Sequence, residues 1–282
     1  MEITAFYPGS FGEIIQGRSE NGDVLLSFPV NTYSSVKLFE SSKSKKFIPS
    51  WSKKSYMFVR NLLKAWNYEK YYSNLYLDIN SMIPRAKGMA SSTADLCAVY
   101  SCMIKMFHRE YNEDELVKQC INIEPTDSII FGEMTLFDYK TGLYRETLGD
   151  YFKFNILVFQ GEGIVDTVEF NHDASKQPII VDDLIEPLRR AVYDRNLEQL
   201  LKVSTESILR NQSRLCYDFL EPVLKICEQA GGLGIIGAHS GNVLGIVFDD
   251  MEKLKFVEKS TYIDKLKIYD LCAIDKFKNY II

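Results

Sequence analysis

The sequence has no C-x-x-C pair among its six cysteines, no run of roughly 18 apolar residues, no excess of basic charge, and neither an internal repeat nor a low-complexity segment. Each absence removes a class of protein. The spacing of Cys97, Cys102, Cys120, Cys216, Cys227 and Cys272, mostly within apolar periodic stretches, fits reduced core thiols rather than a disulfide framework or a zinc site. Without a long apolar run, or a basic segment followed by an apolar one at the start, the chain reads as cytoplasmic and non-membrane. A net charge of −5 leaves no electrostatic footprint for nucleic acid, and the small basic patch S-K-S-K-K at 42–46 reads as a solvated loop. Two of the histidines, His108 and His172, have no partner pattern and receive no role.

What is present is an ordinary soluble composition, 46% hydrophobic and 25% charged over 282 residues, enough for one large domain or two closely packed ones. Strand patterns at 3–7 and 11–17 are separated by Pro8-Gly9 and lead to Asn21-Gly22, a hairpin signal, with further strands at 24–30 and 34–39. Tyr56, Val59, Leu62, Leu63 and Trp66 recur at helical spacing, and 75–79 alternates as a strand. A helix over 92–107 is followed by a second, capped by Asn112 with Glu115 at the capping-box position. Short strands are expected at 135–138, 143–148 and 154–159, then three helical pieces over 182–229 broken near Asn196 and Asp218. Strands at 231–238 and 243–248, a helix over 250–259 and a strand near 267–273 complete the pattern. Strands first, then helix pairs against more strand, give an α+β fold in two halves, with a seam between Asp150 and Pro178.

The most informative stretch is P-R-A-K-G-M-A-S-S-T-A-D-L-C-A at 84–98. A loop with one lysine and one glycine feeds a helix that opens on Ser91, Ser92 and Thr93. A helix start leaves about four N–H groups without internal partners and carries roughly half a positive charge, which suits an anion such as phosphate. Small residues at Gly88 and Ala90 let a phosphate approach the backbone, and a serine hydroxyl there can cap the helix or reach a phosphate-bound Mg²⁺. A serine-capped core helix is the plainer alternative.

This order of residues resembles the phosphate-binding motif of the GHMP kinases, P-x-x-x-G-L-x-S-S-A, and its A-S-S-T-A-D form is similar to the propanediol-utilisation type of L-threonine kinase, which serves cobalamin side-chain synthesis. The resemblance implies a GHMP kinase fold, with an S5-like α/β ATP-binding half over 1–160 and a ferredoxin-like half over 161–282. It implies ATP and Mg²⁺, with Lys87, Gly88, Met89, Ala90, Ser91, Ser92 and Thr93 around the phosphates.

Phosphoryl transfer also needs a metal ligand and a group that positions or deprotonates the attacking hydroxyl. Two consecutive antiparallel helices return Glu124 to the level of Ser92, so these two are the expected metal ligands, and Asp127 in E-P-T-D is the expected base. Their short separation leaves open which carboxylate does which task. Y-P-G-S-F-G-E-I-I-Q-G at 7–17 resembles the first motif of the same branch, and its lone acid Glu13 would receive the ammonium of an amino acid. G-A-H-S-G-N at 237–242 resembles the third motif, which puts His239, Ser240, Gly241 and Asn242 at the substrate. The overlapping G-x-G-x-x-G at 232–237 would, read alone, indicate a dinucleotide site, but a strand and not a helix is expected to follow it. The expected activity is phosphorylation of the side-chain hydroxyl of L-threonine. Serine, homoserine or another hydroxylated metabolite, or a non-catalytic ligand-binding homologue, are the alternatives.

Overall fold

The structure, a computed structural model, describes residues 1–41, 48–163, 176–275 and 280–281. The basic patch at 42–46 and His172 lie outside the described residues. The first two strands, β1 (Glu2–Ser19) and β2 (Gly22–Glu40), form one long antiparallel hairpin that closes where Ser19 faces Gly22. The expected break at Pro8-Gly9 does not end β1, and the expected pair of strands at 24–30 and 34–39 is one. Register shifts between Pro8 and Ser10, Ser10 and Glu13, and Glu13 and Ile15 absorb the irregularity, with Ser10 opposite Pro29. A proline has no N–H for the ladder, so bulges collect there.

β3 (Leu75–Ser81) lines up along β2, after helix α1 (Lys53–Ala65). α2 (Ser91–Met106) is buried at almost every position and lies against the β1–β2 hairpin, where the Cys102 thiol donates to the carbonyls of Val36 (3.3 Å) and Ile3 (3.6 Å). α3 (Glu113–Ile121) starts on Asn112, whose side chain accepts from Glu115 N at 3.0 Å. The Glu115 carboxylate turns outward from the cap and instead accepts from Trp66 Nε1 (2.8 Å) and Tyr100 (2.9 Å), tying α1, α2 and α3 together.

β4 (Met134–Asp138), β5 (Arg145–Gly149) and β6 (Phe154–Gly161) follow, then helices α4 (Asp182–Tyr193), α5 (Leu197–Asn211) and α6 (Leu220–Ala230). β7 (Gly234–Gly237) and β8 (Val243–Phe248) form a hairpin, succeeded by α7 (Met251–Ser260), β9 (Leu266–Ala273) and β10 (Tyr280–Ile281). The glycines at 232–237 therefore lead through β7 into a turn and β8, with no helix on which a dinucleotide pyrophosphate would sit.

The described strands form one sheet in the order β10-β1-β7-β8-β6-β9-β2-β4-β5, with β3 off β2 and every pairing antiparallel. Late strands are thus inserted between early ones: β7 pairs β1 through Glu13 and Gly237, and β9 pairs β2 through Val30 and Ala273. One apolar core runs from Ile3 to Ala273, and a smaller one, including Phe159, Val223 and Phe248, lies under α6 and α7. The cysteines are all free: Cys97, Cys102, Cys120 and Cys227 are buried, Cys272 half-buried and Cys216 exposed. Among the described residues no helix is long and apolar enough to cross a membrane.

Candidate active site

The loop between β3 and α2 has Ala86, Gly88 and Ala90 at φ of +56°, +78° and +52°. Left-handed backbone costs an alanine about 1–2 kcal/mol, so two such alanines mark a shape held by its surroundings. Alternating backbone of this kind turns successive N–H groups toward one concave side, which favours an anion. Gly88 is held against the β7–β8 turn: a Cβ there would lie 2.4 Å from Ala238 Cβ, and one on Gly241 would lie 2.1 Å from the Lys87 carbonyl.

The N-cap of α2 is Ala90, and no side chain among the described residues caps the helix. The expected serine cap is absent because the helix begins at Ser91, which puts the three hydroxyls inside the first turn and leaves Ala90 at the cap position, and two of those hydroxyls are engaged elsewhere. Ser92 donates to Glu124 Oε1, and Thr93 Oγ1 accepts from Asp127 N at 3.2 Å. The first turn therefore keeps its orphan N–H groups for a ligand. Gly88, Met89, Ala90, Ser91, Ser92 and Thr93 all line a cleft with a cavity volume of about 110 Å³. Lys87 is the exception. Its ammonium donates to the carbonyls of Gly161 (2.6 Å), Glu162 (3.1 Å) and Gly163 (2.6 Å) at the end of β6, so its side chain fastens the loop and does not face the cleft.

Opposite the helix start, the segment after α3 is pinned by Thr126 N donating to the Tyr139 carbonyl at 2.9 Å. Glu124 reaches back to Ser92 with one oxygen and accepts from Lys54 of α1 with the other. Asp127 is enclosed by Ser27 and Ile129 N on Oδ1, the latter at 3.0 Å, and by Ser10 on Oδ2 at 3.4 Å. It also caps the short turn Ser128–Ile130. Burial pushes its carboxyl up to about 7, reinforced by the charge of Glu13 and opposed by those hydrogen bonds. Both carboxylates line the cleft.

Glu13 lines the cleft as well, but His239 does not. The imidazole is fully buried: Nδ1 lies 3.2 Å from Glu13 Oε2 and Nε2 lies 2.6 Å from Ser207 Oγ of α5. His239 N donates to the same Glu13 oxygen at 2.8 Å. With both ring nitrogens occupied inside the core, His239 positions Glu13 and is not free to meet a substrate. Ser240 reaches the cleft, whereas Gly241 and Asn242 line a neighbouring hollow beside Gly161 and Gly163. The expected four-residue substrate contact is thus reduced to one because the turn faces two ways.

Five residues at or behind the cleft were not singled out in the sequence. Ser10 and Gln16 sit inside the motif at 7–17, beside the glutamate that drew attention. Ser27, Lys54 and Tyr139 carry no local signal, since only sheet register and helix packing bring them near Asp127, Glu124 and the cleft wall. Among the described residues no cluster of three or more His, Cys, Asp or Glu could hold a metal. One carboxylate and one hydroxyl, Glu124 and Ser92, fit Mg²⁺ only as a hard ion that takes its other ligands from phosphate oxygens and water.

Residues 55–132, which include the loop, Glu124 and Asp127, match the family model described as GHMP kinases N terminal domain, and 188–260 match GHMP kinases C terminal. The chain is 30% identical over 258 residues to an L-threonine kinase of Salmonella typhimurium, covering 88% of this chain and 85% of that protein. It is 28% identical over 260 residues to an L-threonine kinase of Citrobacter freundii, covering 89% of each. Among solved structures, a homoserine kinase from Cytophaga hutchinsonii superposes with a TM-score of 0.76 at 13% identity, over 100% of this chain and 97% of that one. A Methanococcus jannaschii mevalonate kinase gives 0.71 at 17% identity, over 96% and 98%. At such identities the structural likeness establishes the fold.

Proposed function

The chain belongs to the GHMP kinase family, and from that premise we propose that it transfers the γ-phosphoryl group of ATP to the side-chain hydroxyl of L-threonine, giving O-phospho-L-threonine and ADP. The observation that carries this reading is the meeting, in one cleft, of an uncapped helix start with Glu124, Asp127 and Glu13.

In this reading the phosphates of ATP lie over the backbone of 88–93, where N–H groups and the helix dipole favour negative charge. Ser92 and Glu124 would hold Mg²⁺, which would supply charge neutralisation on the phosphates. Asp127 accepts the proton of the threonine hydroxyl as its oxygen bonds to the γ-phosphorus, while the bond from that phosphorus to the bridging oxygen breaks and ADP departs with the electron pair. A base with a pKa of about 7 is matched to neutral conditions. Glu13, held by His239, takes the α-ammonium. Ser240 completes the substrate side, and Lys87, Gly241 and Asn242 act from behind by fixing the loop and the turn. The working division into 1–160 and 161–282 belongs to the same proposal, with β6, at the boundary, hydrogen-bonded to strands of the later half.

The test is to incubate the protein with ATP and Mg²⁺ and L-threonine, L-serine or L-homoserine, following ADP release and identifying the product by ³¹P NMR. Fastest turnover with threonine supports the reading. Turnover confined to serine or homoserine moves the substrate within the family, and no turnover with any hydroxy amino acid overturns it.

A further inference from the structure

Two buried polar atoms in the wall of the cleft lack a well-formed hydrogen bond. Gln16 Oε1 and Tyr139 Oη are buried and neither makes a hydrogen bond of ordinary geometry among the described residues, although the Gln16 and Arg214 side chains lie beside the Tyr139 hydroxyl; Gln16 and Tyr139 are each 2% exposed. Both line the same cleft as Glu13 and Asp127. A buried carbonyl or hydroxyl without a partner is costly and uncommon, so two on one cleft wall point to groups that a ligand brings.

Backbone geometry explains how Gln16 comes to be there. On a regular strand, residues 13 and 16 would face opposite sides of the sheet. The shift in register between Glu13 and Ile15, which leaves Glu13 opposite Ser27 and Gln16 opposite Leu25, turns both toward the cleft. Tyr139 is fixed by its own backbone, donating to the Asp23 carbonyl at 3.2 Å and accepting from Thr126 N at 2.9 Å. Its position is therefore tied to the E-P-T-D segment that carries Asp127.

We propose that Gln16 and Tyr139 read the two charged ends of the amino acid, Tyr139 donating its hydroxyl to the α-carboxylate and Gln16 Oε1 accepting from the α-ammonium beside Glu13. The inference rests on the reading of this cleft as an amino acid kinase site. The surrounding charges set the direction. Glu13 supplies negative charge for the ammonium; burial, reinforced by the charges of Asp23 and Glu13, pushes the Tyr139 hydroxyl up to about 12 and keeps it a donor, while the guanidinium of Arg214, 7% exposed, is the positive charge beside it. An acceptor lacking either end would leave one of these buried atoms unpaired, which is a stronger basis for discrimination than the fit of a methyl group.

The experiment is steady-state kinetics of the unmodified protein, Tyr139→Phe and Gln16→Met with L-threonine, L-threoninamide (no carboxylate) and 3-hydroxybutyrate (no ammonium). Each substitution is expected to raise KM for threonine about 10–100-fold, the size of a lost hydrogen bond to a charged group, with KM for ATP unchanged. Tyr139→Phe should also lose the preference for threonine over threoninamide, and Gln16→Met should narrow the preference over 3-hydroxybutyrate. Thermal midpoints should stay close to that of the unmodified protein, because Gln16 Oε1 and Tyr139 Oη make no hydrogen bond of ordinary geometry; a clear fall in midpoint with KM unaltered would assign a structural role and overturn the inference. If the unmodified protein phosphorylates threonine and both variants keep its KM and its preferences, this inference fails while the kinase reading stands. If the unmodified protein turns over no hydroxy amino acid, the kinase reading fails and takes this one with it.

Discussion

Glu13 Oε2 accepts the backbone N–H of His239 at 2.8 Å and lies 3.2 Å from the ring Nδ1 of the same residue, across 226 positions of sequence. A carboxylate at the cleft wall is thereby held by a histidine behind it, which is itself braced on Ser207. His239→Ala should loosen Glu13 without removing its charge. The expected outcome is a rise in KM for threonine with KM for ATP unaltered, together with a loss of stability of about 1–3 kcal/mol from the unpaired buried groups, read by urea unfolding. Unchanged KM for both substrates would dissociate Glu13 from the acceptor.

Asp127→Asn should lower kcat by about 10²–10⁴, the usual contribution of a positioned base, with ATP binding preserved. Near-normal turnover would remove the base assignment.

The pH dependence of the unmodified protein follows from the same residue. Asp127 must be ionised to accept a proton, so kcat/KM for threonine should rise with pH through about 7 and level off above it. Stability should run the other way. The folded-state pKa is raised above the unfolded value, so between roughly pH 4 and 7 the folded state binds more protons, and its contribution to stability is lost as pH rises through that window. Urea midpoints across pH 4–8 should show this fall, and Asp127→Asn should flatten it.

Ser92→Ala removes the hydroxyl that joins the first turn of α2 to Glu124. A charge-assisted hydrogen bond is worth about 1.5–3 kcal/mol, so turnover at fixed Mg²⁺ should fall about 10–100-fold and the Mg²⁺ concentration needed for half-maximal rate should rise. A Mg²⁺ titration superimposable on that of the unmodified protein would take Ser92 out of the metal site.

Gly241→Ala puts a methyl group where the Lys87 carbonyl already sits, 2.1 Å away. Relief requires the β7–β8 turn to separate from the loop at 84–90. Overpacking of this kind costs about 1–3 kcal/mol, and ATP affinity, measured by isothermal titration, should fall with it. Retained affinity would show that the two segments move independently.

The elements of the fold were legible where a local pattern produces them. Helical spacing from Tyr56 to Trp66 marks α1, Asn112 marks the start of α3, and the run of hydroxyls before an apolar periodic stretch marks α2. In the sequence the hairpin reads as separate strands, because a bulge preserves pairing while breaking the alternation by which a strand is recognised. At the site, Glu124 was legible because a helix pair of that length has to return to its start. Lys87 shows the opposite case: a lysine in a glycine loop looks like a phosphate ligand, and the three carbonyls that claim it lie more than seventy residues away. Ser27, Lys54 and Tyr139 were invisible because nothing near them in sequence distinguishes them from ordinary strand and helix positions.

The insertion of β7 beside β1 and of β9 beside β2 also bears on how the molecule assembles. During synthesis, β1 and β2 emerge early and pair with each other, yet each must keep an edge open until a strand made more than two hundred residues later arrives. Non-local pairings of this kind slow folding and leave sheet edges exposed meanwhile. The cleft can form only when those edges are filled, so catalytic competence should appear late and all at once in a refolding reaction, after most helical signal has recovered.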